Sequence, residues 1–183
     1  MQIRDFNGSG LWSATSVQAR HAEYARRYGV DTPHPVAPNV YERRDVRWVY
    51  PVMAAVVDGI LAGDAACAAI GVEFIEEDRK FPFGANLKAR TARALRQTTI
   101  PPALSARIRR RIVDMLIAGN TPREYREYAK LLRKTGFDEL WPRLEAGVPR
   151  ANRYAMRYYR YFEAIHRRTP AVCPVATAAS LTP

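Results

Sequence analysis

The same turn-and-helix pattern occurs twice in the second half of the chain. The first copy reads Ala118-Gly119-Asn120-Thr121-Pro122-Arg123, and the second reads Ala146-Gly147-Val148-Pro149-Arg150. Glycine is favoured just after the end of a helix. Proline suits the first turn of the next helix, because its missing N–H would have no intrahelical partner there. Each copy therefore predicts a helix, a tight turn and a second helix.

Both helices that follow the prolines carry a stripe of cations. Starting at the residue after each proline, Lys or Arg recurs at the spacing i, i+3, i+7 and i+10, which is one face of a helix. The first stripe comprises Arg123, Arg126, Lys130 and Arg133, with Lys134 beside it, and the second comprises Arg150, Arg153, Arg157 and Arg160. Such a row can neutralise successive phosphates of a nucleic acid, with release of counterions. The plainer interpretation is a solvated helix face, which would usually mix charges of both signs.

Hydrophobic periodicity predicts helices along most of the remaining chain. The predicted segments are approximately 13–28, 51–62, 64–78, 86–99, 103–118, 122–135, 137–146 and 149–168. Ser13, Asp64 and Asn86 are candidate N-caps, since their side-chain oxygens can accept from the free N–H groups of a first helical turn. No segment alternates with a period of two, so the sequence predicts an all-α fold of stacked helical hairpins with no sheet.

Composition divides the chain into three predicted regions. Residues 1–40 hold one helix and a connector with three prolines between Gly29 and Val40, which indicates an N-terminal arm. Residues 41–168 form the predicted helical domain. Residues 169–183 lack charge and periodicity, so they are expected to form a disordered tail.

The net charge of +11 is concentrated in the second half of the chain. Residues 1–84 hold nine Lys or Arg and eleven Asp or Glu, whereas residues 85–135 hold thirteen Lys or Arg against three acids. This segregation points to a polyanionic partner, most often nucleic acid. Three cations of the helix before the first stripe, Arg107, Arg110 and Arg111, complete the set of candidate nucleic-acid-binding residues.

The aromatic residues of the last helix are expected to serve mainly as core. Tyr154, Tyr158, Tyr161 and Phe162 recur at helical spacing beside the second stripe. Tyr159 lies away from that arc, which makes it the expected exposed tyrosine and the candidate for stacking on a base.

A search for catalytic residues favours a non-enzymatic protein. Glu73 with Glu76 or Glu77 would share a helix face and could bind a divalent ion, so a metal-dependent nuclease is the minor alternative. His21, His34 and His166 do not lie at metal-ligand spacing, and the sequence has no Gly-rich phosphate loop or nucleophile elbow. We therefore expect no cofactor, no metal and no catalytic residue.

The remaining features bear on partners and location. Cys67 and Cys173 are the only cysteines and suggest neither a disulfide framework nor a zinc site, so a cytoplasmic protein is expected. No signal sequence and no membrane span are expected, because the longest apolar run is interrupted by Asp58 and Gly59. The alternative to nucleic-acid binding is an adaptor or assembly subunit that docks an acidic protein partner.

Residues 52–96 resemble the helical segment of small terminase subunits of tailed phages. The shared order is Met53 in an apolar helix, Leu61-Ala62-Gly63-Asp64, an Ala-rich helix, Phe81-Pro82, Leu87-Lys88 and Thr91-Ala92. The resemblance covers about a quarter of the chain and does not include the doubled basic stripe. It implies a DNA-binding packaging component of a phage or mobile element that assembles as a homo-oligomer.

Overall fold

Helices account for most of the computed structural model, which describes residues 1–77 and 80–168. The helices are α1 (Ala14–Tyr28), α2 (Met53–Leu61), α3 (Ala65–Glu76), α4 (Gly84–Gln97), α5 (Pro102–Ile117), α6 (Tyr125–Thr135), α7 (Trp141–Gly147) and α8 (Arg153–His166). The predominantly helical fold expected from the sequence is confirmed. The predicted tail, 169–183, lies outside the described residues.

The α2–α3 hairpin forms the centre of the fold. Gly63 takes a left-handed φ of 86° at the turn, and the Asp64 carboxylate accepts from Ala66 N–H at 2.7 Å and from Cys67 N–H at 3.0 Å. This confirms the predicted cap of α3. Almost every side chain of α3 is buried, because α1, α2, α4 and α5 all pack against it. A helix that is apolar around its whole circumference is stable only in such a position.

The segment interpreted as an N-terminal arm lies against the rest of the chain. Helix α1 begins at the predicted cap Ser13 and ends at Gly29, which has a φ of 63°. It packs on α3 through Val17, which is fully buried, while Arg20 forms an ion pair of 2.6 Å with Glu73 of α3. The first helix is thus part of the same core as the later ones.

A small sheet corrects the prediction that the fold has none. Strands β1 (Gln2–Asp5), β2 (Val40–Arg43) and β3 (Val46–Val49) lie in the order β1-β3-β2, with β1 parallel and β2 antiparallel to β3. Each strand has four residues, too few for an alternating pattern to stand out from the sequence. Strand β1, the parallel partner of β3, is also far from it in the sequence, and the pattern of a local segment cannot reveal such a pairing.

Helix α4 begins before its predicted cap. The helix starts at Gly84, and Phe83 precedes it with a left-handed φ of 58°, so Asn86 lies inside the first turn. The Phe81 ring packs on Trp12 and Phe74, with centroid distances of 5.9 and 5.4 Å. This aromatic packing fixes the position of the chain just before α4, which explains why the helix starts there and not at the polar residue.

The second half of the chain packs around α5. The apolar stripe of α5, including Ile108, Ile112 and Leu116, is fully buried against α3, α6, α7 and α8. Within residues 1–77 and 80–168, no helix is both long and apolar enough to cross a membrane.

Candidate nucleic-acid interface

The two repeated turns lie against each other in the fold. Asn152 caps α8 by accepting from the N–H groups of Tyr154 and Ala155, and its side-chain amide donates to the carbonyl oxygen of Gly119 at 3.3 Å. Gly119 ends α5 with a φ of 69°, and an added Cβ would lie only 2.9 Å from the Asn152 amide nitrogen. The close contact therefore holds the start of α8 against the turn between α5 and α6.

Helices α6 and α8 meet one turn further on. The ring of Tyr125, buried in the core with its hydroxyl donating to Ile112 O at 2.9 Å, packs edge-on against the ring of Tyr158 at a centroid distance of 4.7 Å. Beside this contact is a cleft of about 230 Å³ between the two helices. It is lined by Arg126, Ala129 and Lys130 of α6 and by Arg157, Tyr158 and Tyr161 of α8. Helices α6 and α8 begin at Tyr125 and Arg153, so Arg123 and Arg150, the first residue of each predicted stripe, precede the helices that were expected to carry them. Later residues of both stripes line the same cleft.

The electrostatic environment of Tyr158 shows how near the cations are. Partial burial raises the pKa of the Tyr158 phenol above its ordinary value, while the positive charges of Arg157 and Arg126 oppose that rise. One arginine comes from each stripe. Both guanidinium groups therefore act on the same small region of the cleft.

Six of the twelve candidate cations have no hydrogen bond or ion pair with the chain in residues 1–77 and 80–168, and all six are exposed. They are Arg110, Arg123, Arg126, Arg133, Arg157 and Arg160. Five of these lie on or next to α6 and α8. Because no acid of the described chain neutralises them, their charge is directed to the solvent and to any anion there.

The other candidates take part in contacts within the protein. Arg107 pairs with Glu76 at 2.6 Å, Lys130 pairs with Glu127 at 2.9 Å, and Lys134 donates to Arg96 O at 2.8 Å, at the C-terminal end of α4. Arg111 is half-buried and has a partner of its own.

Two candidates of the second stripe contact aromatic rings instead. Arg150 donates to Glu145 O at 2.9 Å, and Arg153 donates to the Tyr154 hydroxyl at 3.0 Å. The guanidinium of Arg153 also lies 4.7 Å from the centroid of the Tyr154 ring. These arginines could still face an anion, but binding would have to compete with contacts already made.

Tyr159 is not the exposed aromatic residue that the sequence predicted. Tyr159 is 4% exposed, its ring is stacked on Trp141 at 5.5 Å, and the Arg150 guanidinium lies over the ring at 4.5 Å. Helix α7 packs against this second face of α8, which the periodicity of α8 alone could not show. The exposed tyrosine of α8 is Tyr154, at 57%, while Tyr158 and Tyr161 are half-buried in the cleft.

Two arginines of α4 extend the basic surface beyond the predicted residues. Arg93 and Arg96 lie 3.8 and 3.9 Å from the Glu127 carboxylate, which also binds Lys130. Burial alone would raise the pKa of Glu127, but the hydrogen bond from Lys130 and the three cations hold it below its ordinary value. The excess of cations in residues 85–135 was the sequence signal for this group. The packing of α4 on α6 was needed to place it.

The acidic residues at the C-terminal end of α3 already bind other side chains, which leaves few of their carboxylate oxygens free to bind a metal. Glu73 binds Arg20 and the Tyr24 hydroxyl, Glu76 binds Arg107, and Glu77 accepts from the indole N–H of Trp12 at 3.2 Å. Burial, followed by the hydrogen bond to Glu73, raises the pKa of Tyr24 to about 12. The residues considered for a metal-dependent nuclease therefore join α3 to its neighbours.

The fold brings together one group of possible metal ligands that the sequence spacing did not reveal. Among the described residues, His21, Asp64 and Cys67 have ligand atoms that all lie within 4.8 Å of one another. Each Asp64 oxygen already accepts hydrogen bonds, and one of them binds both His21 Nε2 at 3.0 Å and His34 N–H at 2.8 Å. Burial raises the pKa of the Cys67 thiol well above its ordinary value, and a metal would need the thiolate. This geometry indicates that the group holds α1, the connector and α3 together and does not bind a metal.

No family model matches the sequence, and comparisons with the curated proteins and with the solved structures found no match.

Proposed function

We propose that the protein binds nucleic acid through the basic surface of α6 and α8, without catalysing a reaction. One observation carries the proposal: the exposed, unpaired cations Arg126, Arg133, Arg157 and Arg160 lie on two helices that start at touching turns. A surface that only needs to stay solvated can use mixed charges. Here one sign predominates, and the arginine side chains can form bidentate contacts with phosphate oxygens.

Contacts of this kind are made mainly to the phosphate backbone. They release counterions, so affinity falls steeply as the salt concentration rises and depends little on sequence. Glu127, the acid within α6, is held by Lys130, Arg93 and Arg96 and therefore adds little repulsion.

Charge reversal tests the proposal. The variant with Arg126, Arg133, Arg157 and Arg160 replaced by Glu is expected to weaken binding to DNA and RNA oligonucleotides by at least about 100-fold. The control replaces Arg4, Arg26, Arg43 and Arg44, which are also exposed and unpaired within the described chain. Both variants change the net charge equally. Equal binding by the two folded variants would place the site elsewhere.

The same surface could dock an acidic protein, and an additional measurement separates the two partners. Nucleic acid as the partner predicts that material captured by the protein is released by nuclease treatment. Capture of an acidic protein that survives nuclease, together with no binding of labelled oligonucleotides, would instead support an adaptor.

The wider setting is also a proposal. Cys67 is a buried free thiol, which agrees with a location in the cytoplasm. The resemblance of residues 52–96 to small terminase subunits agrees with DNA as the partner and with assembly into a homo-oligomer in a phage or mobile element.

A further inference from the structure

The cleft between α6 and α8 has apolar walls and a charged rim. Ala129, 2% exposed, contributes a small side chain to its lining, and the rings of Tyr158 and Tyr161 provide aromatic surface. Tyr158 is held by the buried ring of Tyr125, and Tyr161 packs edge-on against Phe162 at 5.3 Å. Both rings are therefore supported from behind by the core and remain partly open to solvent.

The cations of the cleft come from both helices. Arg126 and Arg157 are exposed, and neither forms an ion pair within residues 1–77 and 80–168, whereas Lys130 is held by Glu127. A ligand that satisfies both parts of the cleft must combine a ring of low polarity with a negative charge. A free phosphate would use only the rim, and an uncharged aromatic molecule would use only the walls.

The size of the cleft restricts the ligand further. Its volume of about 230 Å³ lies below the range of about 300–1,000 Å³ that is usual for drug-sized ligands, so it suits one small ring system. A nucleotide has the required combination of a flat base and a phosphate. In a duplex the bases are stacked inside the helix, so only an unpaired base could enter a cleft on the protein surface.

We propose that this cleft takes one unpaired nucleobase against Tyr158 and Tyr161 while Arg126 and Arg157 hold the adjoining phosphates, so that the protein prefers single-stranded nucleic acid to duplex. This inference rests on the proposed function, whose cations it shares. It adds a binding site and a class of nucleic acid that charge alone does not specify.

Affinity for an oligothymidylate and for a blunt duplex of the same length tests the inference. Replacing Tyr158 and Tyr161 with Leu keeps apolar side chains but removes the flat rings. We expect this double variant to bind the single strand at least about tenfold more weakly than the wild type, and to bind the duplex within about twofold of it. Replacing both residues with Phe keeps the rings and should preserve single-strand affinity.

Tyr154→Leu provides the matched control. Tyr154 lies on the same helix and is the more exposed tyrosine, but it does not line the cleft. Its replacement should leave single-strand affinity unchanged. Full single-strand binding by the folded Tyr158→Leu, Tyr161→Leu variant would overturn the inference and leave the proposed function standing. A wild type that binds neither oligonucleotide would overturn both.

A second measurement needs no variant and so does not depend on folding of the leucine protein. Wild-type protein is irradiated with an oligothymidylate that contains 5-iodouracil, and the crosslinked peptides are identified by mass spectrometry. Crosslinks at Tyr158 or Tyr161 are expected. Crosslinks confined to aromatic residues outside the cleft, such as Tyr41 or Tyr154, would contradict the inference.

Discussion

The Asp64 carboxylate joins three segments of the chain. It caps α3, accepts from the backbone of His34 in the connector, and binds His21 of α1. Burial alone would raise its pKa, but hydrogen bonds from Cys67 N–H, His34 N–H and His21 lower it below the ordinary value of 3.8. The charged form is therefore stabilised in the folded state, and it stabilises the fold in turn.

Asp64→Asn tests the contribution of these hydrogen bonds to stability. Asparagine can still cap α3 through its side-chain oxygen, but the amide nitrogen that replaces the other oxygen can accept from neither His34 N–H nor His21. We expect a loss of about 1.5–3 kcal/mol in the free energy of unfolding at pH 7. Because the folded pKa is lowered, the advantage of the wild type should shrink as the pH falls below about 4. Urea unfolding of both proteins between neutral and acid pH measures this difference in the free energy of unfolding. A difference that stays the same at low pH would contradict the role of the Asp64 charge.

Tyr159 and Tyr154 make a second comparison between single residues. Tyr159 fills the space between Trp141 and Arg150, whereas Tyr154 is 57% exposed. Tyr159→Ala should cost about 3–5 kcal/mol, as for other large buried rings. Tyr154→Ala should change stability by no more than about 0.5 kcal/mol. Denaturant midpoints report both values, and similar losses for the two variants would show that α7 does not cover Tyr159.

At the scale of elements, the contact between the two repeated turns holds the start of α8 against the turn that precedes α6. Gly29 and Gly119 both end a helix with a left-handed φ, at 63° and 69°. An added Cβ at Gly29 would meet nothing within 4 Å, whereas one at Gly119 would press on the Asn152 amide. The two glycines therefore separate backbone strain from the contact between turns.

Substituting each glycine with Ala measures that contact. Gly29→Ala should cost about 1 kcal/mol from backbone strain alone. Gly119→Ala should cost about 2–3 kcal/mol, because it also displaces the cap of α8. We also expect only Gly119→Ala to weaken oligonucleotide binding. Equal effects of the two substitutions on stability and binding would mean that the turns do not position the helices.

The sequence was sufficient where local chemistry determines an element. Ser13 and Asp64 cap their helices as expected, and Gly29 ends α1, because these preferences depend on neighbouring residues. The β2–β3 hairpin was missed because its strands are short, whereas the pairing of β1 with β3 and the burial of Tyr159 by Trp141 each depend on a segment distant in the chain. The stripes could be predicted, but the cleft between them required the packing of α8 on the core.

At the scale of the whole molecule, charge is separated by position in the fold. The acids of α3 are used in internal contacts with Arg20, Tyr24 and Arg107, whereas six of the twelve candidate cations, five of them on or beside α6 and α8, remain exposed and unpaired within the described residues. A polyanion approaching the protein would therefore meet a basic surface whose charge is not cancelled nearby. Long-range attraction of this kind is reduced by salt.

The salt dependence of affinity tests the nucleic-acid-binding account most directly. For a single strand, each neutralised phosphate contributes about −0.7 to the slope of log K against log salt, so three to six contacts from the exposed cations predict a slope between about −2 and −4. Replacing Arg126 and Arg157 with Gln should reduce the magnitude of that slope by about 1–2. A wild-type slope near zero, or no binding even at low salt, would contradict the account.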